Sequence, residues 1–297
     1  SWVFDASGNV RMRKDVDYAL RIASFWIKDG RNWRKLLEYT DVTNTPFQIE
    51  GLLDDNTALV LDYDGNKRVA KKLNLTTGAL TPAYSDDTRS ISAVRADPFT
   101  KVPIALFYEG LTLQIRWLDP ELARLQDTLN RAFPNKHVYL ASWSRDKKRI
   151  IVGVESGSHQ YQSYLFDTTS MEAQLLSELE PSFEGFVFPA KELLKFNARD
   201  GLEIPVFVTK PTNAGTRRMP TIIMPHGGPE SQDDAGFDYI AQFLATRGYL
   251  VIQPQFRGST GNGLAFAYAG RGEWGGKMQN DLSESLKWAV EQGWADS

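Results

Sequence analysis

The chain has 297 residues, 42% of them hydrophobic and 24% charged, values that exclude disordered and fibrous proteins. A net charge of −3 gives no electrostatic reason to expect nucleic acid or an anionic membrane as partner. With no cysteine, disulfides, thiol catalysis and thiolate metal sites are excluded within the chain. No apolar run approaches the roughly 18 residues that a membrane helix needs. The opening SWVFDASGNV lacks the basic and apolar regions of a signal peptide. It starts on Ser1, in what reads as a strand, so an upstream signal stays open, as does the choice between a cytoplasmic and a periplasmic soluble protein.

Three segments in the first 180 or so residues share one layout. Ala58–Leu61 leads through a charged turn at Asp62–Lys67 to Lys71–Leu75 and then Thr76–Gly78. Ile104–Tyr108 leads through Glu109–Gly110 to Gln114–Leu118 and then Asp119–Pro120. Ile150–Val154 leads through Glu155–His159 to Gln160–Phe166 and then Asp167–Ser170. Each is strand, polar turn, strand, turn. The anchors Leu73, Leu118 and Leu165 recur at a period of roughly 46 residues, in the range of propeller blades. WVFDASGNVR fits the same register as the closing strand of an earlier blade. One strand pair cannot bury both faces, whereas stacked blades can. A generic antiparallel domain without radial closure is the alternative. A full ring of seven or eight blades needs well over 300 residues, so the propeller is expected to be partial. Trp2, Phe25, Trp26, Trp33, Phe107, Trp117 and Trp143 are expected to be packing residues.

Leu179–Pro189 carries three phenylalanines, two prolines and a glycine, and reads as an ordered crossing into a second domain. The expected domains are 1–185 and 186–297. In the second, Glu192–Asn197 and Glu203–Thr209 form a hairpin about Arg199–Asp200–Gly201. Thr221–Met224 fits a buried strand, Phe237–Thr246 a helix stopping at Gly248, Tyr249–Pro254 another buried strand, and Trp274–Gln292 a long amphipathic helix. Its apolar positions are Met278, Leu282, Leu286, Trp288, Ala289 and Val290. This alternation predicts a parallel sheet with crossovers.

The strand at Thr221–Met224 ends in Pro225-His226-Gly227-Gly228-Pro229, just before a helix. A strand ending in His-Gly-Gly suits an oxyanion loop, where a backbone N–H must come within about 3 Å of a developing negative oxygen. Glycine leaves that approach clear and permits unusual φ. Taken alone, Gly-Gly-Pro there also reads as a tight turn. Phe256-Arg257-Gly258-Ser259-Thr260-Gly261-Asn262-Gly263 follows the next strand, and Gly272-Glu273-Trp274-Gly275-Gly276-Lys277-Met278 follows that.

PHGGP, FRGSTGNG and GEWGGKMQNDL, in this order and spacing, resemble the prolyl oligopeptidase family of serine peptidases, its acylaminoacyl- and dipeptidyl-peptidase-like branch above all. Asn197–Gly201 resembles the family's first hairpin, and Ser142–Asp146 with Tyr164–Asp167 its last blade. The resemblance implies a partial β-propeller followed by the N-terminal part of an α/β-hydrolase domain, with peptide as substrate and no cofactor or metal. It implies oxyanion-hole N–H groups at Gly227 and Gly228, and a pocket wall at Arg257, Gly258, Ser259 and Thr260. Arg257 alternatively braces its own loop through salt bridges. The family's triad order is Ser, Asp, His, all downstream of this loop, which makes His226 a loop-fixing residue rather than a base.

No G-x-S-x-G nucleophile elbow occurs in the sequence. The triad is therefore expected beyond Ser297, and the chain is expected to be an internal piece, inactive by itself. A non-catalytic propeller scaffold with a hydrolase remnant is the alternative function. No nucleic-acid or membrane partner is expected, and a homo-oligomer is left open. The strand at Thr221–Met224 is expected at a sheet edge, with one side unpaired.

Overall fold

Strands of alternating character dominate the first half of the chain. The computed structural model describes residues 1–40, 47–212, 215 and 218–296, and the chain divides into two units, Ser1–Ala123 and Arg124–Ser297. In the first, β1 (Trp2–Phe4), β2 (Val10–Asp17), β3 (Ile22–Asp29) and β4 (Asn32–Thr40) form an antiparallel meander in that order. A second meander holds β5 (Gln48–Asp54), β6 (Thr57–Asp64), β7 (Lys67–Asn74) and β8 (Leu80–Tyr84). In the third sheet β10 (Pro103–Tyr108) lies between β9 (Ile91–Ala96) and β11 (Ile115–Trp117). Helix α1 (Pro120–Ala132) follows.

The sequence of β6 explains how these sheets stack. Successive side chains of a strand point to opposite faces. Ala58 and Val60 join Met12, Phe25 and Phe47 in one core, while Leu59 and Leu61 join Ile91 and Leu106 in another. The second sheet is thus buried on both faces, which accounts for a continuous apolar run instead of an alternating one. None of the sheets closes on itself among the described residues.

Three expectations are corrected here. WVFDASGNVR opens a sheet, because Val3 pairs with Met12 in the hairpin β1–β2, instead of closing an earlier one. The turn expected over Asp62–Lys67 shrinks to Gly65–Asn66, since Asp64 already pairs with Lys67. Asp119–Pro120 starts a helix: the Asp119 carboxylate accepts the N–H groups of Glu121 and Leu122 at 2.8 and 3.1 Å, with Pro120 in the first helical turn. Of the seven aromatics expected to pack, Phe25 and Trp143 are buried, whereas Trp2 is 55% exposed with its ring against Trp33.

The second unit contains another meander, β12 (His137–Trp143), β13 (Arg149–Ser156), β14 (His159–Asp167) and β15 (Glu172–Glu178). A short 3₁₀ turn at Pro181–Phe183 leads to β16 (Lys191–Asn197), β17 (Glu203–Thr209) and β18 (Thr221–Ile223). Then come α2 (Tyr239–Ala245), β19 (Leu250–Pro254), α3 (Leu264–Tyr268) and α4 (Lys277–Glu291). The last sheet has the order β16-β17-β19-β18. It is mixed: only β18 and β19 run parallel, and the hairpin joins β19 antiparallel. Leu250 and Ile252 face the core that holds Ala289 of α4, while Val251 faces Ala241 and Ala245 of α2. Helices on both faces explain why every residue of β19 is buried.

The long helix begins at Lys277, three residues later than expected, after Gly275 at φ 74°. Its buried residues are Met278, Asp281, Ser285 and Ala289, and Leu286 is exposed. Two polar residues therefore lie on the face turned inward.

Candidate active-site loops

Ligands of open α/β sheets bind outside the carboxyl ends of the parallel strands. Here those ends are the exits of β18 and β19. The first exit carries Pro225–Pro229 and the second Phe256–Gly263, so the fold brings the two glycine-rich motifs together.

The loops are bolted to each other. The His226 ring stacks on Phe256 with centroids 4.6 Å apart, and its Nε2 is 2.7 Å from Ser259 Oγ. The Ser259 hydroxyl also lies 2.6 Å from the Phe256 carbonyl, and His226 Nδ1 lies 2.9 Å from the Gly227 carbonyl. Thr260 N–H donates to the Ser231 carbonyl at 2.9 Å, and Thr260 Oγ1 bonds Gln232 at 3.1 Å. Asp233 N–H donates to Gln255 Oε1 at 2.9 Å, and Gln255 returns Nε2 to the Asp233 carboxylate at 3.0 Å. Burial pushes the Asp233 carboxyl above its ordinary value, against the bond from Gln255 and the nearby His226.

Gly228 has φ 130°, and a Cβ there would come within 2.9 Å of Ser231 Cβ. Gly227 differs: a Cβ would meet nothing within 4 Å. Both residues are exposed, and neither N–H donates a hydrogen bond among the described residues.

The four residues read as a pocket wall have different surroundings. Arg257 is 4% exposed. Its guanidinium meets Asp200 at 2.7 and 3.0 Å and Asp281 at 2.9 and 2.8 Å, and its backbone N–H also bonds Asp281. Hydrogen bonds from Arg257 hold the Asp200 carboxyl far below the usual carboxylate range, and the two carboxylates raise the guanidinium in turn. This side chain is engaged on all sides as a brace between the β16–β17 turn, its own loop and α4. Ser259 is fully buried. Gly258, at φ 98°, faces Gly270, where a Cβ would lie 2.5 Å from Gly258 Cα. Of the four, Thr260 bonds outward to the facing loop.

Asp281 and Gln255 carry much of this architecture and were not singled out from the sequence. Asp281 stands inside the quoted GEWGGKMQNDL segment, and a carboxylate on the inward face of a helix is the signal that points to a buried partner.

The prolyl oligopeptidase family model matches residues 235–297. Dipeptidyl aminopeptidase BIII of Pseudoxanthomonas mexicana is 28% identical over 94% of this chain and 43% of its own length. These matches make the chain similar to the prolyl oligopeptidase family. Dipeptidyl peptidase family member 6 of Caenorhabditis elegans is 30% identical over 55% of this chain and 25% of its own length. Among solved structures, a puromycin hydrolase superposes with TM-score 0.69 at 21% identity, over 99% of this chain and 47% of its own. The Pyrococcus horikoshii acylaminoacyl peptidase superposes with TM-score 0.61 at 17% identity, over 96% and 44%. The chain therefore spans less than half the length of these relatives. No helix among the described residues is long and apolar enough to cross a membrane.

Proposed function

We propose that this chain forms part of a serine peptidase that cleaves short peptides, of dipeptidyl, acylaminoacyl or oligopeptidase type, through an acyl-enzyme. The supporting observation is the pair of exposed N–H groups at Gly227 and Gly228, held at the exit of a parallel strand by a buried network. A serine oxygen attacks the scissile carbonyl and the electron pair moves onto the carbonyl oxygen. Preorganised N–H donors stabilise that oxyanion without reorganising. Collapse expels the peptide amine, and water then releases the acyl group. Nucleophile, base and orienting carboxylate are assigned to no residue of this chain. In the same reading residues 1–185 are propeller blades, residues 186–297 the opening of the hydrolase domain, and Thr260 lines the pocket.

The test is made on the whole protein that contains this chain. Dipeptidyl and N-acylaminoacyl p-nitroanilides should be turned over, a fluorophosphonate should label one serine, and labelling should abolish turnover. A whole protein that turns over neither substrate and resists labelling would leave the scaffold reading in its place.

A further inference from the structure

Behind the glycine loop, the meander β12–β15, the start of β16, the exit of β19 and the start of α2 meet around one lysine. Lys191 opens β16 and is half-buried, with its ammonium 4.7 Å from the centroid of the Phe207 ring. Its Nζ donates to the Asp234 carbonyl at 2.6 Å and to the Gly236 carbonyl at 3.3 Å. Four carboxylates act on this cation, those of Asp238, Asp234, Asp233 and Glu155. Burial holds the ammonium below the ordinary lysine value against all four.

Each carboxylate also holds a different part of the fold. Asp233 is paired with Gln255 at the exit of β19. Asp238 caps α2 by accepting the Ala241 N–H at 2.9 Å, and it takes a second bond from Gln253 Nε2 at 2.8 Å. Asp234 Oδ1 accepts the Gly236 N–H at 2.8 Å within its own turn. Glu155, on β13, accepts the Tyr139 hydroxyl at 2.7 Å and the Phe237 N–H at 3.4 Å. Meander and loop approach closely at two glycines. A Cβ on Gly157 would lie 2.5 Å from Lys191 Cβ, and one on Gly236 2.9 Å from Glu155 Oε2. The segment held in this way, Asp233–Phe237, is the continuation of the glycine loop. Without the cation its carboxylates would repel one another, as Asp238 already acts on Asp233.

We propose that Lys191 is a positioning residue. By holding Asp233–Phe237 against the mutual repulsion of the four carboxylates, it fixes the orientation of the Gly227 and Gly228 N–H groups. The meander β12–β15 shares in that hold through Glu155. The consequence for catalysis rests on the reading of those N–H groups as the oxyanion site. An oxyanion donor acts by being in place before the charge develops. A displaced loop therefore lowers kcat and leaves substrate binding as it was.

The test has one arm on this chain and one on the whole protein. On this chain, amide hydrogen exchange is followed at Asp233 and Thr260, whose N–H groups bond Gln255 and Ser231 and not Lys191. In Lys191→Met both should exchange at least about tenfold faster, as loss of a charged donor implies, while the amides of β13 and β19 keep their rates. Glu155→Gln removes one charge and keeps an acceptor for Phe237, so Lys191→Met should accelerate exchange less in that background. If circular dichroism shows Lys191→Met misfolded, Lys191→Gln, which keeps a donor and removes the charge, takes its place. In the whole protein the same substitution should lower kcat about tenfold to a hundredfold with KM unchanged. Unchanged exchange, or an acceleration that Glu155→Gln does not reduce, would overturn the assignment. So would a whole protein that cleaves peptides equally well with and without Lys191. A parent that cleaves no peptide, with exchange responding as stated, would uphold the hold on the loop and overturn the peptidase function instead.

Discussion

Arg257 and Asp281 form a buried two-point ion pair, Nε to Oδ2 at 2.9 Å and Nη2 to Oδ1 at 2.8 Å, between the loop after β19 and the inward face of α4. Removing one member of such a pair leaves the other charge stranded away from water. Asp281→Ala should therefore cost about 3–5 kcal/mol, the usual range for a broken buried pair. Urea unfolding followed by circular dichroism measures it. Arg257→Lys should not be conservative, because one ammonium cannot meet both carboxylates in this geometry. Replacing both partners by apolar residues, as in Arg257→Met with Asp281→Leu, should cost less than Asp281→Ala alone. A single variant as stable as the parent would remove the brace from the account of this loop.

Asp200 gives the same brace a pH dependence. Its carboxyl is held well below its ordinary value, first by the hydrogen bond from Arg257 and then by Lys277, while burial acts the other way. A depressed folded-state value means that the unfolded chain binds the proton more readily. The stabilisation is then fully present above the unfolded pKa of roughly 3.9 and is lost as pH falls toward the folded one. Asp200→Asn should lower the urea midpoint near neutrality, and the gap from the parent should close in acid below that value. A gap that persists unchanged into strong acid would mean that the carboxylate charge is not what matters.

These two predictions concern residues that sequence reading reached unevenly. The hairpin β16–β17 and the buried strand β19 are local patterns, a turn signal and a short apolar run, and both stand where the pattern puts them. The glycine-rich motifs were legible for the same reason. Arg257 was named, yet its partners lie 57 and 24 residues away, and no local period links them. Apolar spacing misjudged the inward face of α4 because Asp281 and Ser285 are buried there, Asp281 through a bond made to another element. Helix α1 was hidden behind Asp119–Pro120, a pair that starts turns and caps helices equally well.

The two candidate oxyanion glycines should separate fold from chemistry. At Gly228 a methyl group meets Ser231 at 2.9 Å on a backbone with φ 130°, so Gly228→Ala should be destabilising by about 1–3 kcal/mol. At Gly227 the added carbon has open space on all sides. Gly227→Ala should thus leave the unfolding curve unchanged. In the whole protein it should lower kcat if the N–H at this loop must be approached closely by substrate. Normal stability with normal kinetics would take Gly227 out of the oxyanion site.

By itself this chain should hydrolyse neither chromogenic aminoacyl nor acyl-ester substrates. The hydroxyl that meets His226 of the glycine loop, Ser259 Oγ, is fully buried and lies 2.6 Å from the Phe256 carbonyl, so it is closed to a substrate. No nucleophile elbow occurs elsewhere in the sequence. Incubation with a fluorophosphonate followed by peptide mapping is the check. A covalent adduct on any serine of this chain, together with loss of turnover, would show that the chemistry is carried within it.

The exit strand β18 carries a prediction about its open side. Met224 N–H donates to Ile252 of β19, and Met219 N–H donates the other way, to Trp294 at 2.8 Å. Alternation along an extended strand then directs the N–H groups of Thr221 and Ile223 away from β19, on the side where Met219 bridges Ala295. Past that bridge no strand pairs with this side among the described residues, as expected for Thr221–Met224 at a sheet edge. Thr-Ile-Ile-Met carries no charge to discourage a second chain from docking there. The chain is expected to self-associate through this edge, with the Ile223 amide exchanging faster than that of Ile222 in the monomer. Proline distinguishes the two sides, because it removes a donor only where it is placed. Thr221→Pro should reduce self-association at little cost in stability, whereas Ile222→Pro should break the ladder to β19 and destabilise the unit. Sedimentation velocity over a concentration series reads the first effect, and urea unfolding the second. A parent chain that stays monomeric throughout the series, with Ile223 as protected as Ile222, would mean that this edge is covered.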